Sequence, residues 1–501
     1  MTPLLRLSLS SAAIALLAPA AFADLTADDV WSDMQSYLAG FGYDVAAQEA
    51  RSDDRLTLSG VTVSSGAAAT LDATLTMDQI VLIEQPDGSV AIDLPVLMPV
   101  QAAIADTRGV MTRFSMDFRQ SGLTLVASGS PDDMQYQYTA DQMALQSTGV
   151  EIDGTLQPAD LNAFDVEVAD LSGTTTMIEG EMRSYAQDLA VGSVKYNLKA
   201  GEQRSSDRAE IAGQLQAVTF TGRSDVPLNT DRSDPLALMA AGMTTDGTFE
   251  YAAQAAVVSI TNASGPSTFS ILSGAGRYAT TLDSAGLTYA TQQSDTQVEM
   301  AMNVMPFPIT LEVANSAANI TVPLGAPGTT GDFALGLSLD GLKMPDMLWR
   351  FFDPQGQLPR DAARIEIDLN GKGELPAALL APMGGMQTAS ALNDGKIEAL
   401  DINKLNISAM GADLSGTGAF AFETAQGAAP RPDGAMDLIL TGGNSLLDRL
   451  VAIGVLPAQQ AQAARMMMAV LAVPGDGPDT LQSRIEVTPQ GHVLANGQRI
   501  R

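Results

Sequence analysis

Residues 71–94 read LDATLTMDQIVLIEQPDGSVAIDL. Leu71, Ala73, Leu75 and Met77 alternate with Asp72, Thr74 and Thr76, the two-residue period of a strand with one apolar face. Ile80 to Ile83 close that strand. Pro86-Asp87-Gly88 is turn chemistry, and Val90, Ile92 and Leu94 return on the far side, so the stretch predicts a hairpin. A leucine face opposed to a Thr/Asp face predicts antiparallel sheet solvated on one side.

The same pattern extends in both directions. Leu56, Leu58, Val61 and Val63 precede it among Thr57, Ser59, Gly60 and Thr62. Phe114, Met116 and Phe118 follow, then Leu123 and Leu125, Tyr136 and Tyr138, and Phe164, Val166 and Val168. Val194, Tyr196 and Leu198 continue it, then Ile211, Leu215 and Val218. Strands spaced at roughly 8–12 residues with Gly, Asn or Asp between them predict a mainly β fold, either a long curved antiparallel sheet or a β-sandwich.

Helices are few. Thr26 is an N-cap with Asp28 and Asp29 in the first turn. Val30, Trp31, Met34 and Leu38 then recur at helical spacing before Gly40 and Gly42. Asp234-Pro235 opens a short helix, and Pro345 opens another over Met347–Phe352. Near the C-terminus, Asn444 is expected to cap one helix and Pro457 to open a second, forming a helical hairpin. Gly, Pro and Thr over 324–331 suggest a division between a region at 24–330 and one at 331–501.

Residues 1–23 have the form of a secretory signal. Arg6 gives the positive start, Leu7–Leu17 the apolar stretch, and Ala21-Phe22-Ala23 an A-x-A cleavage site with Asp24 as the new N-terminus. The apolar stretch is shorter than the ~20 residues that span a bilayer. With no cysteine after the cleavage site, lipoprotein processing is excluded. The expected location is the periplasm, with no transmembrane segment in the mature chain.

Composition closes off several classes of function. The 501 residues carry 27 basic and 58 acidic side chains, a net charge of −31, which opposes binding to a phosphate backbone; no nucleic-acid partner is expected. There is no cysteine and one histidine, His492. Thiol nucleophiles and zinc–thiolate sites are excluded, and any triad would have to use that one imidazole. Ser415, in Asp413-Leu414-Ser415-Gly416-Thr417-Gly418, comes nearest to a nucleophile elbow, but Asp413 stands where the motif needs glycine. Gly416-Thr417-Gly418 runs into Phe420 and Phe422 and reads as a strand bend, not a phosphate cradle. Asp394–Glu398 lacks the calcium-loop spacing. No catalytic residue, cofactor or metal is expected, and a non-enzymatic protein is the preferred reading. The apolar runs Met347–Phe352 and Met466–Val473 read as helix faces packed on a sheet.

Leu348-Trp349, Phe352-Asp353-Pro354, Leu358-Pro359-Arg360, Gly442-Gly443-Asn444, Arg465–Met468 and Gly491–Gly497 resemble an alphaproteobacterial family of exported proteins known as a domain of unknown function. Val30-Trp31, Tyr37-Leu38 and Phe41-Gly42-Tyr43 fit it as well. The resemblance implies a Gram-negative envelope protein and supplies neither catalytic residues nor a ligand. The order of strands, helical hairpin and a last Gly-turn strand pair looks like the C-terminal part of AsmA-type envelope proteins.

These readings converge on a scaffold, or a binder of a lipid-like or apolar molecule, with a buried apolar channel along the sheet as its structural mark and a solidly packed interior as the finding against it. The alternatives are an interaction module that meets another envelope protein through edge strands or its acidic face, and a carboxylate-dependent hydrolase.

Overall fold

The computed structural model describes residues 25–40, 43–65, 72–105, 109–201, 205–228, 230, 235–303, 305, 307–324, 329–374, 396–423 and 431–501. The expected cleavage site at Ala21, Ala23 and Asp24, and the expected cap Asp234, lie outside these residues.

Helix α1 (Ala27–Gly40) is followed by β1 (Tyr43–Ser52), β2 (Arg55–Ser65), β3 (Asp72–Glu84), β4 (Val90–Asp93), β5 (Leu97–Ala105), β6 (Met111–Ser121), β7 (Thr124–Ser130), β8 (Asp133–Ile152) and β9 (Thr155–Gln157). Next come β10 (Ala163–Glu179), β11 (Met182–Gly201), β12 (Arg208–Pro227), α2 (Pro235–Ala240), β13 (Thr244–Tyr251), β14 (Ala253–Asn262), β15 (Gly265–Ser273), β16 (Gly276–Asp283), β17 (Gly286–Met302) and β18 (Ile309–Val322). The last part comprises β19 (Gly331–Leu342), α3 (Asp346–Phe352), β20 (Ala363–Glu374), β21 (Lys396–Ala409), β22 (Ala412–Glu423), β23 (Arg431–Thr441), α4 (Gly443–Ala452), α5 (Ala458–Leu471), β24 (Val473–Pro474), β25 (Thr480–Val487), β26 (Val493–Ala495) and β27 (Gln498–Arg499).

All the described strands join one antiparallel sheet. Most long strands pair antiparallel with the next long strand in the chain, so the sheet grows broadly in sequence order from β1 to β27. Half-length strands share a row: β4 and β5 both pair β3, β6 and β7 both pair β8, and β13 and β14 both pair β12. β18 pairs β19 across the stretch at 324–331, so the sheet is continuous there. The 80–94 hairpin forms as expected, with Leu82 opposite Ile92 and the Asp87 carboxylate accepting from Ser89 N and Oγ at 3.1 and 2.6 Å.

The expected strand length was too short. β8, β11 and β12 are 20 residues each, because what reads as a gap between two strands is a bend within one. Gly60, Asp170, Ala217, Asp295 and Gly341 have left-handed φ of +57°, +57°, +48°, +49° and +74°. Register aligns them into a seam. Asp170 falls between the Ala169–Gln142 and Leu171–Ala140 pairs, opposite Asp141 of β8, and on its other side opposite Gly192 of β11. Gly192 in turn faces Ala217. Ala252, in the break between β13 and β14, donates from its N–H to Gln216 O at 2.9 Å. Asp295 lies opposite Ala314, and a Cβ on Gly341 would come within 2.6 Å of Ala314 Cβ, so only glycine fits there.

At the seam each strand's alternation changes phase. Val168 and Leu171, three apart, therefore point to the same face, as do Val191 and Val194, and Leu215 and Val218. All six pack into one cluster with Tyr251, Phe249 and Tyr278. Apolar side chains from both sides of the seam meet there, at a crease marked by the left-handed backbone. β20 pairs with β19 almost entirely on one side of the seam, over Gly331–Asp340, with Leu342–Ala363 the pair beyond Gly341.

Candidate functional site

The apolar face continues along the sheet, broken at the seam by uncharged polar side chains. In the second half its pairs include Ile320–Leu335, Leu337–Ile367, Ile365–Ile407, Leu414–Leu440 and Met436–Ile485. Charged residues pair with one another on the opposite face: Glu250–Arg277, Asp340–Arg364 and Asp368–Lys404. None of the register-paired positions on the apolar face from β12 to β25 is Asp, Glu, Lys or Arg.

Two coverings differ sharply. At the N-terminal end α1 lies on this face, burying Val30 and Trp31 against Leu56, Leu58, Leu82, Val90, Met134 and Met177. The sequence explains why the helix forms: Thr26 Oγ1 accepts from Asp29 N at 3.2 Å while the Asp29 carboxylate accepts from Thr26 N at 3.0 Å, a reciprocal cap. Further along, the face is open. Ile211 and Ile260 are 38% exposed, and Leu335 and Leu337 are 43%. The expected channel is therefore an uncovered apolar surface, not an enclosed cavity. A cavity of about 680 Å³ does open near the seam, but Glu250, Arg277, Gln292 and Ser338 of the polar face wall it.

Beneath α1 a polar cluster is built into the apolar face. Arg183 Nη2 donates to Asp33 Oδ1 at 2.5 Å, Tyr136 OH donates to Asp33 Oδ2 at 2.5 Å, and Gln187 Nε2 donates to Tyr37 OH at 3.0 Å. Burial pushes the Asp33 pKa up, and this outweighs the lowering by Tyr136 and Arg183. Burial, and then the Asp33 charge, also raises that of Tyr136. A second, uncharged cluster lies at the seam: Tyr251 OH donates to Gln254 Oε1 at 2.8 Å, and Gln293 Nε2 donates to Tyr251 OH and Tyr278 OH at 2.9 and 2.7 Å. Sequence reading gives none of these residues a role; Tyr136 enters it only as a strand residue and Tyr37 only in the family resemblance. For those on strands, the one signal is a polar side chain in the apolar phase.

The expected candidates are placed as follows. His492 sits between the 488–491 turn and β26; its N–H donates to Thr488 Oγ1 at 3.3 Å, and its imidazole has no hydrogen-bond partner among the described residues. Ser415 is in mid-strand, opposite Asn406 and Ile439, where no elbow can form. Trp31 Nε1 donates to Glu49 Oε1 at 2.8 Å, and Trp349 is buried beside Phe352 under the Arg360 guanidinium. The apolar runs are only partly packed: Met347, Phe351, Met466, Met467 and Val470 are all more than half exposed. Asn444 is not the cap of α4. It lies within the first turn, and the Asp479 carboxylate accepts from Asn444 N and Ser445 N at 3.1 and 2.8 Å. Among the described residues no three His, Cys, Asp or Glu side chains group as a metal site, and no helix is long and apolar enough to cross a membrane.

One open antiparallel sheet with a single uncharged apolar face is the class of protein that this geometry defines. Residues 241–490, from just before β13 to just beyond β25, match the family model of an uncharacterized protein conserved in bacteria, DUF2125. No curated protein and no solved structure matches the chain.

Proposed function

We propose that this chain is an exported, periplasmic, non-catalytic envelope protein that holds a lipid-like molecule along the apolar face of its sheet. The observation that supports this reading most is the uncharged run of that face from β12 to β25, where Ile320, Leu335, Leu337 and Ile407 stand 39–43% exposed. Single exposed aliphatic side chains are ordinary, but a contiguous apolar surface on a soluble protein marks a binding site. The occupant is an acyl chain: long, narrow and apolar, matching a face that is long in the direction of strand succession and charged only on its far side.

Native mass spectrometry of the chain recovered from its own periplasm tests the reading. A co-purifying lipid of defined mass, on a chain beginning at Asp24, is the expected result. A lipid-free chain that neither retains nor takes up acyl lipid overturns it. A second reading rests on β1, which pairs with β2 alone among the described strands, so one of its edges is open to strand addition. A stable protein partner in the same spectrum favours it.

A further inference from the structure

We infer, on the basis of the lipid-binding reading above, that Gln254, Ser273 and Thr296 form a seat at the seam for a neutral hydrogen-bond acceptor, the ester or amide carbonyl of an acyl lipid. The three side chains lie in one row across three strands. Gln254 pairs with Ser273, and Thr296 follows the Leu272–Gln297 pair, which places it beside Ser273. Their row belongs to the apolar face: the next row on one side is Ala256, Ile271 and Val298.

Ser273 and Thr296 are 6% and 9% exposed, and neither hydroxyl has a hydrogen-bond partner among the described residues. A buried hydroxyl without a partner is unfavourable, and a neighbouring pair of them beside the aliphatic row Ala256, Ile271 and Val298 points to a group that arrives from outside the chain. The Gln254 amide is oriented to match. Its Oε1 already accepts from Tyr251 OH, which is itself fixed by Gln293, so Nε2 is left as the donor. Three donors and no cation describe the ligand atom: an acceptor without a full charge. A carboxylate or phosphate brought here would meet no paired position with a positive side chain from β12 to β25, and would remain an uncompensated charge.

Equilibrium dialysis of the intact chain against radiolabelled methyl palmitate, sodium palmitate and hexadecane tests the seat. The unaltered chain should bind the ester about tenfold or more tighter than the alkane, as expected for two additional hydrogen bonds. It should also prefer the ester to the ionised acid. In the double variant S273A/T296V the ester's advantage over the alkane should fall by about threefold or more, leaving only what the Gln254 amide supplies, while alkane binding stays the same. S273A removes a hydroxyl oxygen and T296V puts a methyl of similar shape in its place; both remove unpartnered hydroxyls, so the melting temperature should not fall. An undiminished ester preference in the double variant, or tighter binding of the ionised acid, overturns the seat while leaving the lipid-binding reading intact. Failure of the unaltered chain to bind any of the three overturns both.

Discussion

The guanidinium of Arg183 in β11 and the carboxylate of Asp33 in α1 meet at 2.5 Å, 150 residues apart in sequence, with the two side chains only 10% and 4% exposed. The contact fixes the helix onto the sheet's apolar face with a charge pair that is further held by Tyr136 OH on Asp33 and by Glu179 on Arg183.

Removing one partner should therefore be far worse than removing both. Asp33→Ala should destabilise the fold by about 3–5 kcal/mol in urea unfolding, because it leaves Arg183 charged and buried. The double replacement Asp33→Leu with Arg183→Met should recover most of that loss. Equal destabilisation by the single and double variants would show that the pair only fills space.

The same pair has a definite pH dependence. Because burial raises the Asp33 pKa above its ordinary 3.8, the folded state holds this proton more tightly than the unfolded one. Its contribution to stability is complete below pH 3.8 and declines as pH rises through the elevated folded value. Unfolding free energies of the unaltered chain and Asp33→Asn, compared from acid to neutral pH, should diverge in that sense. At Asp479 the sign is reversed. Burial raises its pKa, but hydrogen bonds from Ser445 and Asn444 outweigh this and hold it below the ordinary value, so its contribution is lost as pH falls through the lowered value. Asp479→Ala should cost about 1 kcal/mol at neutral pH through loss of the α4 cap.

At the crease, Ala217 has φ +48°, which alanine adopts only with strain. Ala217→Gly should raise stability by up to about 1 kcal/mol, and Ala217→Val should lower it by about 1–2 kcal/mol. Thermal melts of the two variants check the order, and a stabilising valine would refute the strained geometry.

If the open face serves a ligand and not the fold, its side chains should be dispensable for stability. Leu337→Ser, at a site 43% exposed, should cost less than about 1 kcal/mol, whereas Leu58→Ala, at a site 0% exposed, should cost about 2–5 kcal/mol. Methyl palmitate retention should follow the opposite order, falling in Leu337→Ser and persisting in whatever fraction of Leu58→Ala remains folded.

Much of this architecture is legible in the residues because the signals are local. Thr26 and Asp29 announce the first helix, and Leu75, Met77, Leu82 and Ile92 announce one-sided strands. What escapes a local reading is anything decided by a distant partner. Asn444 is a proper cap by type, yet Asp479 takes the role from across a hairpin. The three-residue steps from Val168 to Leu171 and from Leu215 to Val218 are visible in the sequence, but only pairing shows that neighbouring strands change phase at the same level. Ser273 and Thr296 look like ordinary strand polarity until register places them on the apolar side.

The crease has one more consequence. Its line runs across the strands, parallel to the hydrogen bonds that join them, so flexing about it turns the dihedrals of Asp170, Ala217, Asp295 and Gly341 and breaks no ladder bond. Were the proposed acyl ligand to lie along this face, occupants of different girth would be met by a change in the angle between the two flanks, with the register of every strand preserved.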